Sequence, residues 1–179
     1  NLPGFPLPPT FPGGTGTSGT AAATDPNALT GPAGSGPQNF LSGNGLFAYR
    51  IDFENATNAT APAQVVVINN ALTNTLDWAT LELTEVAFGD RFFAIPPGTQ
   101  HYERTEHFTY KGVSFDVLIE VGLRPGKGEV YANFRSLNPT NGLPPTVEIG
   151  FLPPENGTGR GQGHVSYLIR PKPGLPTGT

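Results

Sequence analysis

The chain reads as an all-β protein: an antiparallel, Ig-like Greek-key β-sandwich behind an extended Pro/Gly-rich N-terminal arm. Three observations predict it. Between residues 46 and 170 apolar residues recur at alternate positions, the period of a strand with one buried face. Turn residues interrupt that alternation about every ten residues, the rhythm of an antiparallel sandwich. The 179 residues include 24 Gly and 20 Pro among many Thr and Asn, all poor helix formers.

Three segments follow: an arm over 1–24, the sandwich domain over 25–170 and an extended tail over 171–179. Residues 1–45 hold 10 Gly and 8 Pro but a single charge, Asp25. Disordered tails that solvate themselves are charge-rich, so this composition points elsewhere. In residues 1–12 apolar side chains alternate with Pro, which favours an extended, polyproline-like backbone. Leu2, Phe5, Leu7 and Phe11 have nothing nearby in sequence to pack against, so the arm is expected to dock on a neighbouring domain. The Gly/Thr/Ser run over 13–20 is its joint, and Asp25-Pro-Asn27 reads as an Asx turn opening the sandwich.

The first strand spans 46–54, with Phe47, Tyr49, Ile51 and Phe53 on one face and Arg50, Asp52 and Glu54 on the other. Residues 64–69, Gln-Val-Val-Val-Ile-Asn, read as a central strand with little exposure. Residues 79–88 and 91–95 supply two more, with Trp78 as a core anchor beside a corner. Strands over 101–109 and 113–123 flank Tyr110-Lys-Gly112, a hairpin signal. Arg124-Pro-Gly-Lys-Gly128 turns into 129–135, where Val130, Ala132 and Phe134 alternate with Tyr131, Asn133 and Arg135. Short strands over 146–151 and 163–170 complete nine.

Composition removes several functions. There is no Cys, hence no disulfide, thiol catalysis or Cys-bound metal. A net charge of −4 with ten scattered Lys and Arg leaves no nucleic-acid footprint. No apolar run approaches the ~18 residues of a membrane span. Met is absent, including at position 1, which leads us to expect removal of a signal peptide and an extracellular or cell-surface location.

Chemical motifs are sparse. His101, Glu103, Thr105 and His107 share a strand face, but exposed faces commonly carry such residues, so no metal is assigned. Ser114 and Asp116 share a face with no His tied to them, and His164 has no partner in sequence. Glu82, Glu85 and Glu120 read as ordinary surface carboxylates. We therefore expect neither enzyme activity nor a cofactor. Gly157, Gly159, Gly161 and Gly163 alternate along one segment. If extended, its bare face admits a close approach by another chain or an aromatic ring, and we read it with the arm residues as a subunit contact. Asn55, Asn58 and Asn156 open N-glycosylation sequons. Tyr102, Tyr110 and Tyr131 are the aromatic candidates for a glycan surface.

Several phrases together resemble a β-sandwich repeat module of large secreted bacterial surface proteins. They include Asp25-Pro-Asn27, Gly31-Pro-Ala-Gly-Ser-Gly-Pro37, Tyr49-Arg-Ile-Asp-Phe-Glu-Asn55, Gly150-Phe-Leu-Pro-Pro154 and Gly159-Arg-Gly-Gln-Gly-His-Val-Ser-Tyr167. The resemblance covers about residues 25–179 and carries no catalytic residues. It implies one more strand after a Leu-Pro-x-Gly-Thr segment, which here is Leu175–Thr179. A module short of an edge strand accepts one from a neighbour, as in donor-strand exchange. The function expected is therefore a structural subunit of an extracellular filament or surface fibre. Its homopolymer grows head-to-tail by docking of the arm or a donated strand. The alternative is a monomeric adhesion or spacer module, or a carbohydrate-binding module that contacts surface glycans.

Overall fold

A computed structural model describes residues 28–34, 37 and 41–175. Leu2, Phe5, Leu7 and Phe11, the Asp25–Asn27 turn and the end of the tail lie outside the described residues. The described residues form nine strands: β1 (Ala28–Thr30), β2 (Phe47–Glu54), β3 (Val65–Ala71), β4 (Leu76–Phe88), β5 (Arg91–Ala94), β6 (His101–Tyr110), β7 (Val113–Arg124), β8 (Glu129–Leu137) and β9 (Gln162–Pro171). They pair antiparallel in two sheets, ordered β1-β2-β9-β4-β5 and β3-β8-β7-β6. The second order is a Greek key: two hairpins join β6, β7 and β8, and a long connection brings β3 beside β8. No helix among the described residues is long and apolar enough to cross a membrane.

The expected alternations bury as read. Phe47, Ile51 and Phe53 of β2 face Val130, Ala132 and Phe134 of β8 across one core. At its centre Phe88 meets four other rings, with Phe151 at 5.1 Å and Phe134 at 5.7 Å, both edge-on. The Lys111-Gly112 turn takes φ of 51° and 75°, the left-handed pair of a two-residue hairpin, and the ladder closes at Tyr110 and Val113.

Four local expectations are corrected. β3 is an edge strand, not a central one, and Val65 and Val67 are half exposed. Residues 146–151 form no strand. Prolines at 144, 145, 153 and 154 remove ladder donors on both sides. The segment turns between Thr146 and Ile149 and leaves a single bridge, Ala63 to Leu152. The Gln64 side-chain amide holds that turn, lying 2.7 Å from Thr146 O and 2.8 Å from Ile149 O. Trp78 is only partly buried; its ring packs over Gly128 and its Nε1 donates to Thr73 O at 3.1 Å. Finally, three-residue β1, unforeseen as a strand, adds an exposed edge beside β2.

Strand β4 is irregular. Its register against β9 shifts between Asp77 and Glu82 and again between Leu83 and Glu85. The bulged carbonyls find side-chain donors: the Gln100 amide reaches Leu81 O at 2.9 Å and Ala79 O at 3.0 Å. Such bulges re-aim a strand without orphaning its polar groups.

Candidate functional site

The glycine run is not an extended bare face. Residues 155–161 wrap around the carboxylate of Glu155, itself buried at 6% exposure. One oxygen accepts Gly157 N–H at 2.6 Å and Gly159 N–H at 2.9 Å, and the other accepts Gly161 N–H at 2.8 Å. These backbone donors, Gly159's first, hold the Glu155 carboxyl below the usual carboxylate range against the opposing effect of burial. Gly157 and Gly159 have φ of +88° and +77°, which brings successive N–H groups onto one anion.

Gly161 and Gly163 do provide close approach, but to their own chain. A Cβ on Gly161 would sit 2.5 Å from Glu155 N. One on Gly163 would strike the Phe53 ring and lie 2.8 Å from Ala87 O. Both positions are filled from within the sandwich. As subunit contacts they are corrected; only Gly157 and Gly159 retain exposure on the loop.

The sequons divide. Asn55 is buried at 1% exposure, and its Nδ2, the atom a glycan would occupy, donates to Ala61 O at 3.0 Å and Leu152 O at 2.9 Å. Its backbone also binds Gly161 O and Glu155 N. The folded chain therefore offers no acceptor at Asn55, whereas Asn58 and Asn156 are exposed.

The strand faces carry short polar networks. His101 pairs with Glu103 at 3.2 Å and with the Tyr131 hydroxyl at 3.0 Å, while His107 pairs separately with Asp116 at 2.8 Å. His164, alone in sequence, meets Glu85 of β4 at 2.8 Å. The register sets β4 beside β9, a long-range pairing that no sequence motif announces. Ser114 lies beside Thr109 and not beside a histidine. Tyr131 is corrected as a glycan platform: Arg124 stacks 4.0 Å from its ring centre, its hydroxyl donates to Glu120 at 3.0 Å, and it is 8% exposed. Burial, then the Glu120 bond, pushes its phenol up. Tyr110 stays exposed and Tyr102 packs against the core. A groove of about 460 Å³ opens on the outer face of the first sheet among Arg50, Asp52, Glu54, Gln162 and His164. Arg50 is tied to Asp52, and Gln162 to Glu54.

The feature that points outward is the free edge of β3. In an antiparallel strand alternate residues send both backbone groups to opposite sides. Gln64 O accepts Ser136 N–H, and Leu72 N–H reaches Gly128 O, so the even positions face β8. Ala63 bonds Leu152 on the other side. Val65, Val67, Asn69 and Ala71 therefore direct one N–H and one C=O each to the open edge. These eight groups have no partner among the described residues.

The other edges are blunted. β1 has three residues and β5 four. β6 turns Arg104 and Glu106 inward, with the guanidinium 4.8 Å over Phe93, and carries His101, Glu103 and His107 outward. Short strands and inward charges are the usual protection of an edge. β3 has neither: seven residues, no charge, no Pro and an unbroken register with β8.

Comparison with protein-family models, curated proteins and solved structures gives no match for this chain.

Proposed function

We propose that the chain is a structural subunit of an extracellular filament or surface fibre. Its subunits join through the open edge of β3 and by docking of the arm over 1–24 on a neighbour. The observation that carries this reading is the contrast between edges. Among the described residues three are defended against strand addition, and the fourth presents eight backbone groups without a partner there, beside two half-exposed valines. A soluble monomer gains nothing from such an edge and risks indiscriminate pairing. A subunit uses it to add a strand, where main-chain bonds supply affinity and alternate side chains supply register.

The arm supplies a second contact of a different kind. Pro3, Pro6, Pro8, Pro9 and Pro12 lack ladder donors, so the arm suits a surface groove better than a full ladder. An arm that reaches from one copy to the next is heterologous and does not close, which is the geometry of a fibre. Negative-stain electron microscopy of the full chain beside Phe5→Ser/Phe11→Ser tests this. Filaments from the parent, lost in the variant with circular dichroism unchanged, are expected. Discrete particles from both would overturn the filament.

A further inference from the structure

We infer that the occupant of the β3 edge is β3 of a second copy, paired antiparallel about a two-fold axis opposite Ile68. This rests on the reading of the edge as an assembly surface, but not on the arm.

The argument is one of matching donors. Any incoming strand must offer N–H and C=O groups at alternate positions over the span of β3. The apolar stretch of the arm over 1–12 fails this requirement. Its positions 3, 5, 7, 9 and 11 include Pro3 and Pro9, and positions 2 through 12 on the other parity include Pro6, Pro8 and Pro12. Residues 13–24, though free of Pro, are Gly, Thr, Ser and Ala with no large side chain to pack beside Val65 and Val67. β3 itself meets it, because all seven of its residues have an N–H. With the axis opposite Ile68, Val65 stands against Ala71 of the second copy and Val67 against its Asn69. Each of these pairs exchanges two bonds. The four pairs across the axis use every one of the open groups, and no other two-fold register does so.

Side chains agree with the backbone. Val65 and Val67, exposed at 50% and 52%, would gain cross-strand neighbours on the outer face. No charge on β3 meets a like charge across the axis. The product is one continuous eight-stranded sheet made of the two β3-β8-β7-β6 sheets. The contact is isologous and self-limiting, so it makes dimers and leaves fibre growth to the arm.

The experiment is sedimentation velocity over a concentration series. It is run on the full chain carrying Phe5→Ser/Phe11→Ser, which removes arm docking. A reversible monomer–dimer equilibrium is expected. Adding Val65→Lys/Val67→Lys places charges at the edge and should weaken dimerisation at least tenfold, with far-UV circular dichroism and melting unchanged. If that variant misfolds, Ala71→Lys at the exposed end of β3 gives the same reading. A monomer at every concentration, or a dimer indifferent to these lysines, overturns the inference. Filaments from the parent together with a monomeric arm variant would sink the β3 pair and leave the fibre standing. Dimers without filaments from the parent would do the reverse.

Discussion

Glu155 shows how a residue that resembles a site can be a clamp. Its carboxylate has three glycine N–H donors, and these lower its ionisation below the ordinary range. A depressed folded pKa contributes stability at pH above the unfolded value. That contribution is lost as pH falls through the folded value. Glu155→Gln should therefore melt below the parent at neutral pH, and the gap should narrow on acidification below the ordinary carboxylate range. Thermal melts of both proteins across that range check it; a gap independent of pH would deny the charge its role. Gly163 is the steric counterpart. A methyl there meets Phe53 and Ala87 O, so Gly163→Ala should cost about 1–3 kcal/mol by overpacking. Phe53→Leu in the same chain should recover part of that loss. Denaturant unfolding of the double-mutant cycle measures the coupling, and strict additivity would show that the two do not touch.

At the scale of the element, legibility followed how locally each feature is determined. β2, β6, β7, β8 and β9 are near-continuous alternations or hairpins, and their boundaries emerge within a few residues of the expected ones. Burial depends there on side chains two apart, which a linear reading sees. The position of β3 in its sheet depends on which strand comes to lie beside it, about 60 residues further along the chain, and β8 takes only one side. Val65-Val-Val-Ile68 is as apolar as a central strand, so composition alone misplaces it. Residues 146–151 failed for another reason. Their apolar content was visible, but Gln64 takes their carbonyls from a distant element and the flanking prolines forbid a ladder. In the glycine run the period of two was genuine, but a single buried carboxylate six residues upstream of Gly161 bends the chain out of extension. The arm lies outside the described residues, and the open edge of β3 is the feature the structure adds to the proposed contact.

Across the whole molecule, the two sheets are joined mainly by rings and branched aliphatics, and among the described strands one side-chain hydrogen bond bolts them together. Tyr167 of β9 is 1% exposed, stacks on Tyr49 of β2 at 5.3 Å and accepts Asn70 Nδ2 of β3 at 3.0 Å. It thus ties the first sheet to the open-edged strand of the second. Burial raises the Tyr167 phenol far above the ordinary tyrosine range, and burial raises Tyr49 as well. A raised folded pKa means the neutral phenol is favoured in the folded state. The associated stability is complete below the unfolded value of about 10 and is lost as pH rises towards the folded value. Phenolate absorbance from Tyr167 should therefore appear only when the sheets part, in step with loss of the far-UV strand signal. Tyr167→Phe keeps the stacked ring, removes the hydroxyl and should shift alkaline unfolding to higher pH, while at neutral pH it costs the Asn70 bond, about 0.5–1.5 kcal/mol. If Tyr167 ionises before the strand signal falls, the bolt is open to solvent and β3 is held to the first sheet by packing alone.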